Sequence, residues 1–191
     1  YPGVWPVVRE WLSNTRENWG PTGDTDWHLL EVSFSPPERA THGQVLLRST
    51  NNSGTAWFDD VELWCDGEPV AFCDNLDFSP ERQAQGWTVE RETAGQFAWD
   101  DAEGHTAPGA LRISGTDSYN SFTVSEPLFT AKPGGRYTLR CWVKTQGATG
   151  YTYPAVAWHY HRDEYVDAQW LEQAILPAVR FRDQYQVPVY C

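Results

Sequence analysis

The sequence contains no methionine, few basic residues and no long apolar run. Its 14 Lys and Arg are outnumbered by 26 Asp and Glu, which gives a formal net charge of −12. Nucleic-acid backbones and anionic membranes are bound by clustered Lys and Arg, so this balance argues against both as partners. No segment reaches the roughly 20 apolar residues of a membrane span, and no signal peptide is recognisable. Because there is no initiator methionine, we expect the chain to be a piece of a longer protein.

Aromatic side chains are abundant instead. There are 11 Trp, 9 Tyr and 8 Phe in 191 residues, although the mean hydropathy is only −0.58. A polar chain of this size has more large rings than a small core usually holds. Some rings are therefore expected at the surface, as platforms for sugar faces or as anchors for protein contacts. The alternative for any single Trp is a place in the core.

The four cysteines show no zinc-ligand spacing. Cys65 and Cys73 bracket residues 66–69 (DGEP), which have turn chemistry, so a hairpin would bring the two thiols face to face. A disulfide between them fits an oxidising compartment, and we expect a secreted (extracellular or periplasmic) protein. Cys141 alternates with apolar neighbours and is expected to be a small buried hydrophobe.

Strand-like segments separated by Gly, Pro, Asn and Asp fill the middle of the chain. Many short strands at this spacing predict an all-β fold, an antiparallel β-sandwich or jelly roll. The ends have helical periodicity at residues 6–18 and 167–186, with Pro177 bending the second helix. The predicted strands are residues 27–34, 44–50, 55–64, 86–90, 110–114, 121–130, 136–145 and 154–161.

Motifs in this middle region resemble the carbohydrate-binding jelly rolls of module families 4, 9 and 22, but in rotated order. The closing half of such a module comes first, as Asp26-Trp27 and residues 57–63 (WFDDVEL). The resemblance implies one circularly permuted jelly roll joined near Cys65 and Cys73, and the competing explanation is two half-modules from neighbouring domains. The opening half follows as residues 75–78 (NLDF), 86–87 (GW), 101–104 (DAEG), 110–113 (ALRI) and 133–144 (PGGRYTLRCWVK).

The two ends resemble glycoside hydrolase family 5, the cellulase-type (β/α) barrels. Residues 165–179 (with YVD, WLEQ and LPAV) look like the barrel helix before the nucleophile strand, and residues 187–191 (VPVYC) look like the start of that strand. The resemblance divides the chain into a barrel-like flank at 1–24, a permuted carbohydrate-binding jelly roll at 25–162, and a barrel-like helix and strand start at 163–191.

A retaining glycosidase needs two carboxylates about 5 Å apart, one as acid/base and one as nucleophile. The resemblance places both outside this chain, since no Asn-Glu-Pro occurs and the nucleophile would follow Cys191. The chain is therefore not expected to be an enzyme, whereas its parent protein is expected to be a glycoside hydrolase. His159 and His161 share a strand face, but no third ligand stands at a diagnostic spacing for a metal.

Sugar binding needs aromatic faces and a few polar groups for the hydroxyls. Strand alternation turns Arg140 and Trp142 away from the apolar side of their strand, and it gives other strands similar candidates. The alternative for Trp142 or Trp158 is packing beneath the barrel or the flanking helices. The residues predicted to bind carbohydrate on one concave sheet are Trp142, Arg140, Trp158, Tyr160, Gln44 and Arg48.

The related modules hold a structural calcium ion near their meeting termini. The resemblance places its nearest ligands at Asp60, Asp77 and Asp101, with solvated turn carboxylates as the alternative. Ser79 stands where those modules have a Glu, which removes one hard oxygen ligand.

Together these patterns predict a non-catalytic module that binds a β-glucan or related plant polysaccharide and holds an attached catalytic barrel on its substrate. The alternative is a structural insert of a family 5 endo-β-glucanase that buttresses the cleft without binding sugar.

Overall fold

The structure is a computed structural model that describes residues 7–13, 20–89, 96–116, 121–125 and 128–161. These residues form twelve β-strands and no helix, which confirms the predicted all-β class. No helix in this part of the chain has the length and hydropathy to cross a lipid bilayer. The strands are β1 (Val7–Ser13), β2 (Gly23–Phe34), β3 (His42–Thr50), β4 (Asn52–Cys65), β5 (Glu68–Pro69), β6 (Trp87–Val89), β7 (Gln96–Asp100), β8 (Ala110–Thr116), β9 (Ser121–Ser125), β10 (Phe129–Thr130), β11 (Tyr137–Ala148) and β12 (Tyr151–His161).

The strands form two sheets, and the chain crosses between them repeatedly. Sheet 1 has the order β1–β12–β3–β9–β6, with β10 also paired to β3. Sheet 2 has the order β2–β11–β4–β8–β7, with β5 paired to β4. Every pairing whose register is described is antiparallel, as the sequence predicted.

The chain divides into two compact units. Residues 9–160 form one unit, which holds almost all the described residues, and residues 1–8 with 161–191 form the other. The predicted helix at 167–186 and strand at 187–191 lie outside the described residues. The predicted boundaries at 1–24, 25–162 and 163–191 stay predictions.

One apolar core lies between the two sheets. Trp158 of sheet 1 is fully buried, and its ring centre lies 5.2 Å from that of Tyr137 in sheet 2 and 6.0 Å from that of Phe34. Phe129 packs on the same indole at 5.9 Å and covers Gly43, where any side chain would collide with the Phe129 ring. A large ring buried in this way contributes about 1.5–3 kcal/mol by removal from water.

The prediction of a helix at residues 6–18 is wrong for the residues of this segment that the structure describes, because Val7–Ser13 is strand β1. The apolar residues at positions 7, 8, 11 and 12 fit a helical stripe, but Val is also a strong strand former. β1 is the edge strand beside β12, and pairing to an existing sheet satisfies its backbone in a way that local periodicity does not reveal.

The predicted disulfide between Cys65 and Cys73 is also wrong, because both cysteines are free thiols. The turn is tighter than expected: Asp66 and Gly67 alone form it with positive φ angles, and Cys65 pairs with Glu68. Cys73 therefore lies beyond β5, where its Sγ is 3.5 Å from the carbonyl oxygen of Asn75.

Truncation of the central indole tests the core. Trp158→Ala is expected to lower the free energy of unfolding by about 3–5 kcal/mol, because it removes a large ring from a packed site. Tyr151→Ala is the control, since Tyr151 is an aromatic residue on the same strand that is 40% exposed. Denaturant titration measures both variants, and equal losses would contradict the assigned core.

Alkylation tests the cysteine assignment. Iodoacetamide applied to the denatured, unreduced protein is expected to label both Cys65 and Cys73, and a linked peptide in mass spectrometry would contradict the structure. In the folded protein Cys141 is expected to resist labelling, because it is completely buried and burial raises the pKa of its thiol well above the usual range.

Candidate functional site

The outward face of sheet 2 carries a polar row on β11. Tyr137, Leu139, Cys141 and Val143 point into the core, and the residues between them are partly exposed on the other face. Arg140 and Trp142 therefore share the outer face of the sheet, as strand alternation predicted.

A β-bulge in β4 interrupts the pairing beside this row. Arg140 pairs with Glu62 and Trp142 pairs with Asp59, so Asp60 and Val61 together oppose the single residue Cys141. Asp60 adopts a φ of 46°, in the left-handed region that Asp tolerates better than most residues. The extra residue changes the phase of the strand, and both Asp59 and Asp60 turn toward the loop that joins β7 to β8.

That loop, residues 101–109, is anchored at both ends. At its start, the carboxylate of Asp100 accepts bonds from the indole N–H of Trp57 at 2.9 Å and the backbone N–H of Ala102 at 3.1 Å. The backbone N–H of Gly109 donates to the carbonyl of Glu103 at 2.8 Å and closes the loop. The side chain of Glu103 accepts a 2.7 Å bond from Lys144 of β11, which ties the loop to the sheet.

The two bulge carboxylates hold the centre of the 101–109 loop. Asp59 accepts the backbone N–H of His105 at 2.7 Å and the backbone N–H of Asp60 at 2.8 Å. Asp60 Oδ2 lies 2.7 Å from His105 Nδ1 and accepts a bond from the Thr106 hydroxyl at 2.5 Å. The imidazole of His105 is therefore fixed in position and orientation.

The fixed imidazole completes an aromatic group. His105 stacks on Trp142 with ring centres 3.7 Å apart and planes 14° apart, and Trp27 meets His105 edge-on at 6.0 Å. Sequence reasoning missed both His105 and Trp27, because they come from a loop and from another strand. One signal of this site was available in the sequence, the Asp59-Asp60 pair. Two consecutive acidic side chains cannot both face outward on a regular strand, so the pair indicates an irregularity in β4.

An open cleft of about 480 Å³ lies beside this aromatic group. It brings together four of the predicted residues: Arg140 and Trp142 as sugar contacts, and Asp60 and Asp77 as carboxylates. The lining residues are Leu29, Asp60, Val61, Glu62, Leu76, Asp77, His105, Thr106, Arg140 and Trp142.

The other predicted sugar-binding residues are elsewhere. Gln44, Arg48 and Trp158 belong to sheet 1, whereas Arg140 and Trp142 belong to sheet 2. The prediction that all of these residues lie on one sheet is therefore wrong. Trp158 is in the core and offers no face to a ligand, and Arg48 is buried with its guanidinium 5.5 Å from the ring centre of Tyr153. The side chain of Tyr160 lies outside the described residues.

The three predicted calcium ligands do not come together, because Asp60 and Asp77 both line the cleft whereas Asp101 does not. Asp60 is engaged by His105 and Thr106, Asp77 accepts the backbone N–H of Ser79 at 3.3 Å, and Asp101 is exposed. Among the residues that the structure describes, no three His, Cys, Asp or Glu side chains are grouped as metal ligands. As placed, the three aspartates do not fit a calcium site, and calcium binding stays an expectation from the resemblance.

Asp59 has an unusual electrostatic position. Its side chain is 1% exposed, and burial raises the pKa of its carboxyl from 3.8 to about 7. The hydrogen bond from the backbone of His105 acts against this rise, and the negative charge of Asp60 adds to it.

No family model, curated protein or solved structure matches the chain.

The pKa of Asp59 predicts a pH dependence of stability. Between about pH 4 and pH 7 the folded state binds more protons than the unfolded state, so a rise in pH through this window destabilises the fold. Over this whole pH window the free energy of unfolding is expected to fall by at most about 4 kcal/mol. Asp59→Asn has no carboxyl at this position, so its melting temperature is expected to lack this fall with rising pH. The difference in melting temperature between the variant and the wild type is therefore expected to shift in favour of the variant as the pH rises from 4 to 8.

Asp101→Asn is the control, because it removes the same charge from an exposed position. Thermal melts at several pH values measure all three proteins. Parallel pH profiles for the wild type and Asp59→Asn would show that the Asp59 carboxyl does not titrate differently on folding.

Proposed function

We propose that this protein is a non-catalytic polysaccharide-binding module of the β-glucan type that directs an attached glycoside hydrolase to its substrate. The observation that carries the proposal is the partly exposed indole of Trp142, held at an open cleft that Arg140, Glu62 and other polar side chains also line. Flat aromatic faces stack on the C–H faces of sugars, and neighbouring polar groups bond to the hydroxyls.

The cleft offers both kinds of contact within one surface. Trp142 supplies the ring, Arg140 supplies N–H donors, and Glu62 and Asp77 supply carboxylate acceptors. A cleft that is open to solvent also suits a long chain, because a polymer must pass through the site without being enclosed.

Strand order supports the finer proposal of a circularly permuted jelly roll. The chain leaves β4 through the β4–β5 hairpin and then reaches residues 75–78. These residues lie against β4, because the backbone N–H of Val61 donates to the carbonyl oxygen of Leu76 at 2.8 Å. These are the two segments that the motifs assign to the closing and opening strands of the module. Their direct contact is what a permuted single domain requires.

The positions of the ends support an inserted module. β1 and β12 are neighbours in sheet 1, so the chain enters and leaves the 9–160 unit through adjacent strands. A domain placed within a loop of another domain needs ends that lie close together.

One observation favours the alternative of a structural insert that binds no sugar. One face of Trp142 is already stacked on His105, which is how a packing residue behaves. The two functions differ in whether the remaining exposed part of the indole contacts a ligand.

Removal of the Trp142 ring separates the two functions. Trp142→Ala is expected to weaken retardation on a native gel containing hydroxyethylcellulose roughly tenfold or more, because a central aromatic contact is lost. Its melting temperature is expected to stay close to that of the wild type, because the indole lies outside the core. Tyr151→Ala, which changes an exposed aromatic residue of sheet 1, is expected to bind normally.

Gels with xyloglucan, mixed-linkage glucan and xylan extend this test to other chains. The binding proposal is abandoned when the wild type is retarded in none of them. Unfolding of Trp142→Ala, in contrast, would make the indole a packing residue and favour the structural insert.

A further inference from the structure

Three charged residues form a row across sheet 2 at the edge of the cleft. Arg140 of β11 pairs with Glu31 of β2 on one side and with Glu62 of β4 on the other. Directly opposed residues on one face of a sheet are close enough for their side chains to interact. Arg140 Nε donates to Glu31 Oε2 at 2.6 Å, and Arg140 Nη1 lies 3.9 Å from Glu62 Oε2.

The remaining charges of the cleft have the opposite sign to Arg140. Among the described lining residues Arg140 is the only Lys or Arg, whereas Asp60, Glu62 and Asp77 are carboxylates. Both carboxylate neighbours of Arg140 reduce its effective positive charge. An anion that approached the cleft would therefore meet net negative potential.

We propose that the Glu31–Arg140 ion pair sets the charge selectivity of this cleft, so that it accepts neutral glucan chains and excludes chains that carry carboxylates. The inference rests on the proposed function, because it concerns which polysaccharide the same cleft takes. Glu31 does not line the cleft itself, and it acts by occupying the guanidinium that an anionic sugar would need.

Geometry explains how a paired arginine discriminates. A sugar carboxylate is bound best by two parallel N–H donors of one guanidinium, and Glu31 already holds the Nε side of that fork. A guanidinium has five N–H groups, so donors remain for the hydroxyls of a neutral chain. Hydroxyls accept single bonds and bring no charge into the field of Asp60 and Asp77.

Glu31→Gln tests this role directly. Hydroxyethylcellulose and carboxymethylcellulose share one backbone and differ in the charge of their substituents, so the ratio of the two affinities isolates charge selectivity. The wild type is expected to bind the neutral polymer and to bind the carboxylated one weakly. In Glu31→Gln the ratio is expected to shift roughly fivefold toward carboxymethylcellulose at low ionic strength, because an exposed charge pair has about this effect.

Glu68→Gln is the matched control, since it removes an exposed negative charge from β5, outside the cleft lining. It is expected to leave the ratio unchanged, and added salt is expected to diminish the shift in Glu31→Gln. The ion pair is exposed on both sides, with 42% and 47% of the side chains accessible, so Glu31→Gln is expected to fold normally.

Three results would overturn the inference. The first is equal binding of both polymers by the wild type, and the second is an identical ratio in Glu31→Gln and Glu68→Gln. In either case hydroxyethylcellulose is still bound, so the proposed function survives while the selectivity role of Glu31 fails. The third is binding of neither polymer by the wild type or by Glu31→Gln, which removes the proposed function and this inference with it.

Discussion

The cleft depends on one extra residue in β4. On a regular strand Asp59 and Asp60 would point to opposite faces, and one carboxylate would enter the core beside Phe58. The bulge opposite Cys141 avoids this, because Asp60 takes a left-handed conformation and the strand resumes with Val61 facing inward. Two acidic side chains thereby reach the same loop, and that loop carries His105 to Trp142.

The same bulge sets the neighbours of Arg140. Because the register shifts between Trp142 and Arg140, the residue opposite Arg140 is Glu62. If the register continued from Trp142 without this shift, Val61 would lie opposite Arg140. The guanidinium would then have a carboxylate on one side only. The aromatic contact and the charged row are therefore two results of one irregularity, which explains why they lie next to each other on the sheet. Bulges commonly reorient side chains in this way beside binding sites.

Sequence patterns located most strands because alternation is a local property of the chain. They also contained the bulge: Ala56 and Phe58 are apolar at even positions, whereas Val61 and Leu63 are apolar at odd ones. Alternation does not say which sheet a strand joins, and for that reason Trp142 and Trp158 looked equivalent although one lines the cleft and the other fills the core. β1 resembled a helix because its apolar residues at 7, 8, 11 and 12 follow the helical period and do not alternate, and only its pairing in the sheet shows that it is a strand. His105 escaped notice because a loop residue gains its contacts from distant segments.

A buried carboxylate at position 59 is unfavourable by itself, and its raised pKa is the measure of that. A neutral apolar residue would avoid the penalty, but it would leave the N–H groups of Asp60 and His105 without the acceptors that hold the bulge to the loop. The buried carboxylate of Asp59 therefore lowers the stability of the fold, but it fixes the position of the 101–109 loop. The fixed loop keeps His105 against Trp142, which restricts the rotation of the indole before any ligand arrives. In the proposed binding role this matters, since a ring that is already ordered loses less conformational entropy when a sugar stacks on it.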